Sequence, residues 1–467
     1  MQTNTINIKT NNFFSFIREA LKGNYHDFTQ GSIRKAVLLL AVPMILEMAM
    51  ESVFAVVDIF FVGRTPNAKQ AVATIILTES VLTILYSAAI ALSMGATAVV
   101  SRRVGGKNIN GAAHSGAQAI LLGVLFTIVI GITGAVFANN ILSLMGASPE
   151  VIAVGTTYTR ILFSTNIVIT LLFLINGIFR GAGNASIAMW SLWIANGVNI
   201  VLCPLLIHFY GLKGAAIATT IGRGAGVCYQ LYHLLRGKGL LRLKRAHFSI
   251  DWPIIKTLFD VSWVGFMQFF IGSASWIFMT RIITHFKDDA AIAGYGLAMR
   301  LLMFFMLPAW GMSNAAATLV GQNLGANQPL RAAQSVWKTA KYNAIFMAFV
   351  TVIFFFFADT IVGFMNKDAG VGQFAALALR IISIGSVALG VGMVVTNAFN
   401  GAGDTKTPTI INLFCFWAFQ IPLAYILAVT LQWGPKGVFY AVLIAETTVT
   451  IVSIVIFRKG KWKKVVI

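Results

Sequence analysis

Twelve long apolar stretches, separated by short polar breaks, dominate the chain. They fall at roughly 36 to 62, 71 to 101, 115 to 137, 151 to 179, 185 to 208, 214 to 235, 257 to 283, 291 to 321, 342 to 358, 371 to 399, 408 to 432 and 437 to 457. Each is long enough to cross about 30 Å of hydrocarbon as a helix. The runs are continuous and lack the alternation of barrel strands, so helices are predicted throughout. Pro43, Pro204, Pro308 and Pro422 lie inside predicted helices, where each removes a backbone donor and permits a bend. The pattern predicts an all-α polytopic membrane protein with twelve transmembrane helices.

Composition agrees. The 467 residues are 58% hydrophobic and 11% charged, with mean hydropathy +0.80, whereas a soluble domain is about one quarter charged. The net charge of +20 would suggest nucleic acid in a soluble protein, but here the basic residues sort by loop. With the N-terminus inside, the segments on that side hold 24 Lys and Arg and those on the other side 6, which is the positive-inside asymmetry. Both termini are therefore expected to be cytoplasmic, and no nucleic-acid partner is expected. The basic cluster from Arg236 to Arg245 and the tail from Arg458 to Lys464 suit anionic lipid headgroups. Residues 1 to 32 are polar with a short cluster of Phe13, Phe14, Phe16 and Ile17 that suits the membrane interface, and the first membrane helix is expected to serve as the targeting signal. Cys203, Cys228 and Cys415 all lie in apolar runs and read as small core residues, not a disulfide framework.

The chain also repeats itself. At a constant offset of 220, residues 71 to 115 align with 291 to 335, sharing among others Ala71, Leu77, Ala89, Ser93, Gly105 and Ser115 with identical residues of the second copy. The same offset carries Gly181-Ala182-Gly183 onto Gly401-Ala402-Gly403. Two pseudo-symmetric six-helix lobes follow: a cytoplasmic segment 1 to 35, an N-terminal lobe 36 to 235, a basic linker 236 to 256, a C-terminal lobe 257 to 457 and a basic tail 458 to 467. Because each lobe has six helices, the two enter the membrane in the same direction, and their pseudo-twofold axis is expected along the membrane normal. That duplication is typical of secondary transporters, in which two bundles rock around a shared site.

The chemistry concentrates in the first predicted helix, where Glu47, Glu51 and Asp58 interrupt an apolar run. At about 100° per residue they fall within about 40° of one another, along a stripe about 16 Å long. Carboxylates at membrane depth face protein or water and mark an ion or substrate path, or else pair with membrane-depth arginines. Arg160, Arg300 and Arg380 are candidate partners, Arg223 and Arg281 need partners of their own, and Glu446 is a candidate to pair with one of these. Met44, Met48 and Met50 crowd the same helix, and Met303, Phe304, Phe305, Met306 and Trp310 enrich the eighth. Such side chains accommodate varied cations or serve as packing.

Three motifs are specific in combination. They are Pro43 followed by Val57-Asp58-Ile-Phe-Phe-Val-Gly63, the run Gly311-Met-Ser-Asn-Ala-Ala-Ala-Thr-Leu-Val-Gly-Gln-Asn-Leu-Gly325, and Arg180-Gly-Ala-Gly-Asn184 with its counterpart Asn400-Gly-Ala-Gly-Asp-Thr405. On these the chain, from about residue 33 to 458, resembles the multidrug and toxic compound extrusion (MATE) transporters. The resemblance implies two six-helix lobes around a central cavity, and export of varied, often cationic compounds in exchange for protons or sodium. It implies that Asp58 is the coupling carboxylate of the N-terminal lobe. Asn196, Asn199 and Cys203 resemble a helix 5 face of two asparagines and an aspartate, with Cys203 in place of the aspartate, and Thr219 matches a pocket threonine of helix 6. The coupling-ion set expected on this basis is Asp58, Asn199, Cys203 and Thr219, and the substrate set Glu47, Glu51, Asn196, Met48 and Met303. The helix 7 glutamate and helix 10 aspartate of the sodium-coupled branch have no counterpart, since only Asp260 and Asp368 stand near them, at the helix entrances. Protons are therefore favoured over sodium.

The function expected is a secondary antiporter of small organic cations, acting as a monomer among membrane lipids. A flippase for a lipid-linked saccharide is the alternative, opposed by the acids of the first helix. An enzyme is not expected, because no Gly-x-Ser-Gly and no metal-ligand cluster is present and the six histidines are scattered. No cofactor or metal follows.

Overall fold

The computed structural model describes residues 13–23, 25–62, 68–237 and 239–467, leaving aside the side chains of residues 13, 14, 55–60, 62, 68 and 69. A short helix α1 (Phe13–Leu21) precedes α2 (Ile33–Val62), α3 (Ala68–Gly105), α4 (Ile109–Val136) and the short α5 (Ala138–Leu144). There follow α6 (Pro149–Ser164), α7 (Asn166–Gly181), α8 (Ala185–Tyr210) and α9 (Leu212–Leu235). The second half holds α10 (Trp252–Thr284), α11 (Asp289–Gly325), α12 (Pro329–Met365), α13 (Ala369–Ala402), α14 (Lys406–Thr430) and α15 (Pro435–Arg458). No strand occurs among the described residues.

Ten of these helices are long and apolar enough to cross a membrane, and α6 with α7 forms an eleventh span bent by 43°. Helix α9 is the twelfth. It has the length, at 24 residues, but Lys213, Arg223 and its glycines lower its apolarity. The twelve-helix fold expected from the apolar runs is thus present, with two local departures. The stretch expected as one helix over 151 to 179 breaks at Thr165, whose hydroxyl bonds back to the Ile161 carbonyl at 2.7 Å and meets Thr220 at 2.8 Å. Such back-bonding competes with the helical ladder. The eleventh span, α14, slips into π-helix over Leu413–Gln420 and Ile426–Thr430, on either side of Pro422, which cannot donate to the ladder.

The duplication is visible contact by contact. Arg160 Nε donates to the Ala135 carbonyl at 3.2 Å, and 220 residues later Arg380 Nε donates to the Phe355 carbonyl at 3.2 Å. Asn184 caps the backbone N–H of Ile187, and Asp404 caps that of Thr407. Gly183 and Gly403, just before those caps, both have φ +85°, a left-handed conformation that disfavours a side chain. Trp193 donates to the Leu46 carbonyl at 3.1 Å and Trp417 to the Ile271 carbonyl at 3.0 Å. Helices α2–α9 and α10–α15 are therefore two copies of one six-span lobe.

Helices α3 and α11 cross between the lobes at their C-terminal ends, and there the backbones touch. A Cβ added at Gly105 would overlap the Gln322 carbonyl, and one added at Gly325 would overlap the Arg102 carbonyl. Gln322 Nε2 donates across the lobes to the Gly181 carbonyl at 3.0 Å. The chain ends gather on the same side. Asn184, Ser186 and Trp190 donate to the carbonyls of Gly23, Ala20 and Leu21, Arg331 donates to those of Phe28, Gln30 and Gly31, and Arg102 Nη2 reaches Val465 at 2.5 Å. The linker joins them, because His247 contacts Asn110 at 2.9 Å and Asp251 contacts His114 at 3.3 Å.

The glycine crossing generates a prediction. Gly325→Ala places a methyl group inside the α3 backbone and leaves both lobes intact, so it should force this end apart. Spin labels at the exposed positions Arg245 and Leu330 should report a longer mean distance than in the unsubstituted protein. An unchanged distance distribution would show that the crossing does not hold this end shut.

Candidate functional site

Between the lobes, on the other side of that crossing, lies a cavity of about 380 Å³. Helix α3 supplies one wall through Glu79, Thr83, Tyr86, Ile90, Ser93, Met94 and Thr97, a spacing of three and four residues that keeps one helical face inward. Helix α2 adds Met48, Glu51 and Phe54, α7 adds Phe173 and Arg180, and α9 adds Arg223. The C-terminal lobe closes the other side with Phe269 of α10, Leu307, Trp310 and Asn314 of α11, and Asn397 of α13. The walls are mostly apolar and aromatic with a few converging charges, the composition of a small-molecule site.

The stripe of acids on α2 resolves into different environments. Glu51 lies on the cavity wall and is gripped by Arg223 through a two-pronged pair, Nη2 to Oε1 at 2.6 Å and Nη1 to Oε2 at 3.1 Å. Asn196 Nδ2 donates to the same Oε2 at 3.1 Å. The Arg223 guanidinium also faces aromatic rings, 4.8 Å from the centre of Phe54 and 5.9 Å from that of Phe173. Glu47, one turn earlier, is fully buried and off the cavity wall. It accepts from Asn176 Nδ2 at 2.9 Å and lies 3.8 Å from Arg180 Nη1. Behind it, Asn176 Oδ1 accepts from Ser191 and Gln230 at 2.9 and 2.6 Å, a buried network joining α2, α7, α8 and α9. The helix carries through position 58, but the side chain of Asp58 lies outside the described residues.

The expected arginine partners therefore change. Arg180 and Arg223 hold the α2 acids, while Arg160 donates to a carbonyl and Arg380 pairs with Asp359. Glu446, expected to pair with an arginine, has no ion pair among the described residues. It is buried on α15, and its Oε2 has no hydrogen-bond partner among them.

The other expected residues divide as follows. Asn199 and Thr219 meet, Nδ2 to Oγ1 at 3.1 Å, behind the cavity wall. Cys203 was expected beside Asn199 and reachable from the cavity, but it is fully enclosed in a cluster with Leu82, Tyr158, Leu162 and Ala215. Apolar side chains of α3, α6 and α9 converge there and exclude the thiol from the wall. Of the methionines on α2, Met48 lines the cavity and Met44 is buried under α11. Met303 does not line it, being half exposed on the outer surface of α11, whereas Trp310 on the same helix does. Sequence reasoning overlooked Glu79 as a wall residue, although an acid within an apolar run was the signal. It used Arg180 only as part of a motif.

A twelve-span helical protein whose two duplicated lobes enclose a polar-centred cavity is a membrane transporter in architecture. The comparisons agree. The sequence profile described as MatE matches residues 43–205 and 265–426, and the chain belongs to that family, the MATE transporters. The "Probable multidrug resistance protein NorM" of Thermotoga maritima is 24% identical over 444 residues, covering 92% of this chain and 94% of the relative. "Multidrug export protein MepA" of Staphylococcus aureus is 21% identical over 431 residues, again covering 92% and 94%. Among solved structures, "Crystal structure of MATE in the straight conformation" has a TM-score of 0.89 at 23% identity, covering 94% of this chain and 99% of that one. "Outward-facing conformation of a multidrug resistance MATE family transporter of the MOP superfamily" has a TM-score of 0.88, also at 23% identity, covering 94% and 98%. Those likenesses concern the fold.

The environment of Glu47 yields a stability prediction. Glu47→Ala leaves the Arg180 charge without its nearby carboxylate and Asn176 without its acceptor, which should cost about 3–5 kcal/mol, whereas Glu47→Gln keeps the shape and an acceptor and should cost much less. Thermal unfolding in detergent measures both. Equal melting temperatures for the two variants would remove the structural role assigned to this carboxylate.

The cysteines provide a second check. In this conformation a membrane-permeant thiol reagent should label exposed Cys228 and spare Cys203, which is buried. Rapid labelling of Cys203, read by mass spectrometry, would contradict its enclosure.

Proposed function

We propose that this protein is a secondary active exporter that exchanges organic cations for protons by alternating access, in a bacterial inner membrane. One observation carries the reading. The cavity lies between two lobes that close on each other at the α3–α11 crossing, and its wall combines the carboxylates of Glu51 and Glu79 with Phe54, Tyr86, Phe173, Phe269 and Trp310. Carboxylates with aromatic faces are the chemistry that recognises an organic cation, and Met48 and Met94 supply adaptable apolar contact. The names of the multidrug relatives support export of drug-like small molecules. The closed end carries Arg102, Arg103, Lys107 and the basic linker, so we assign it to the cytoplasm and the cavity to the outward-facing state. A flippase is not favoured, because each wall arginine is matched to a carboxylate and so is not free to hold pyrophosphate.

Coupling requires that proton and substrate exclude each other at a shared carboxylate, or in the two conformations. Asp58 is assigned that proton on the resemblance of its motif, and Asn199 and Thr219 of helices α8 and α9 are assigned to the same set on the resemblance of theirs. An exchange of one proton for one monovalent cation moves no net charge, and each pH unit then supplies about 1.4 kcal/mol, or tenfold. Two protons per cation would add about 2.3 kcal/mol per 100 mV of membrane potential.

Efflux of a fluorescent cation from proteoliposomes, with proton and sodium gradients imposed separately, tests the proposal. The proton gradient alone should drive export, and Asp58→Asn should abolish gradient-driven export while leaving the melting temperature near that of the parent. Export driven by sodium alone, or full proton coupling in Asp58→Asn, would overturn the mechanism.

A further inference from the structure

The aromatic and carboxylate groups expected of an organic-cation site are already occupied by a cation that belongs to the protein. The guanidinium of Arg223 is forked onto both oxygens of Glu51 and sits 4.8 Å from the Phe54 ring centre and 5.9 Å from that of Phe173. Arg223 is 5% exposed, yet it is part of the cavity wall together with Glu51, Phe54 and Phe173. A flat, weakly hydrated, delocalised charge between a carboxylate and ring faces is also the bound form expected of an aryl or amidinium ligand.

We propose that Arg223 is a built-in counter-cation, which fills the substrate-cation subsite when the cavity is empty and which an arriving organic cation must displace from Glu51. The inference rests on the cation-exporter reading and assigns a specificity role to a residue outside the expected site. An ionised Glu51 without a partner at membrane depth would be costly, and Arg223 removes that cost in the empty state. Binding then becomes an exchange of one cation for another on the same carboxylate. The tethered arginine sets a threshold: small alkylammonium ions, which have no ring face to stack, do not displace a forked guanidinium, whereas large aromatic cations do. Substrate selection therefore comes from competition inside the protein as well as from the shape of the cavity.

Equilibrium binding of tetraphenylphosphonium and of tetraethylammonium to the purified protein, at one fixed pH, tests this. Arg223→Gln should bind tetraphenylphosphonium about tenfold more tightly and narrow its advantage over tetraethylammonium, since the internal competitor is gone. Added guanidinium ion should weaken that binding in Arg223→Gln and have little effect in the parent, whose subsite is already filled. Arg223→Lys keeps the charge but not the fork and should fall between the two. It also serves if the glutamine variant does not fold. The double variant Glu51→Gln with Arg223→Gln removes both charges together, so it should keep its melting temperature and lose the gain in affinity. If the parent binds tetraphenylphosphonium and neither single variant that folds binds it more tightly, the counter-cation role is overturned and the exporter reading stands. If neither parent nor variants bind any cation, both fall. Binding by Arg223→Gln where the parent shows none would support the role outright.

Discussion

A charge at membrane depth is tolerated when another part of the protein answers it, and that constraint organises the N-terminal lobe. Helix α2 carries two carboxylates one turn apart, and they reach in different directions for their partners: Glu47 toward Asn176 and Arg180 of α7, Glu51 toward Asn196 of α8 and Arg223 of α9. One helix is thereby pinned to three others by groups that lipid would not satisfy. The hydrogen bonds of Trp193 and Asn196 to the α2 carbonyls of Leu46 and Met50 continue the same seam. The polar centre that makes a site possible thus also fixes the arrangement of the helices around it.

The C-terminal lobe shows what the same scaffold does without those charges. Where the N-terminal lobe has Asn196 against Glu51, the C-terminal lobe has Gln420 nearby in its own seam, accepting from Ser275 at 2.9 Å, a neutral hydrogen bond. Arg223 corresponds to Glu446, by the offset of 223 that also relates Gly211 to Gly434. The backbone devices have been kept through the duplication, as Gly183 and Gly403 or Arg160 and Arg380 show, while the ionisable groups at the centre have diverged. Two lobes of common fold therefore present unlike faces to one cavity: charged and aromatic from α2, α3, α7 and α9, amide and aromatic from α10, α11 and α13.

The fold was legible because continuous apolarity is a strong signal, and even α9 with its buried Arg223 read as a span. The break at Thr165 and the π segments around Pro422 were not, since both depend on how a side chain or a missing donor competes with the ladder. At the site, the helical wheel placed Glu47 and Glu51 on one stripe but not facing different neighbours. Their partners lie more than a hundred residues away, and periodicity carries no information about which helix comes to pack there. For the same reason Cys203 and Met303 were credited to a cavity that they do not touch. A wheel defines a face and leaves open what the face meets. Glu79 escaped because it interrupts an otherwise apolar helix only once, and its inward direction follows from the α3 stripe that the structure displays.

Alternating access requires interactions within each lobe to outlast those between lobes, and the two sets differ in kind. Within the N-terminal lobe the ties are charge-assisted and multiple, as where Glu47 meets Asn176 and Arg180 in a network continued by Ser191 and Gln230, which resists separation because its polar groups would be left buried without partners. Between lobes, at the closed end, α3 and α11 meet through glycine backbones, and single hydrogen bonds to carbonyls tie α11 to α7, Gln322 to Gly181, and α3 to the C-terminal tail, Arg102 to Val465. Carbonyls released there gain water as the ends part, so each of these bonds is worth about 0.5–1.5 kcal/mol net, or about 1.5–3 kcal/mol where arginine is the donor. A modest difference in ligand affinity between two states is then enough to move that equilibrium. On the exporter reading proposed above, the strong interactions hold each lobe together and the weak ones leave the choice between conformations to the occupant of the cavity.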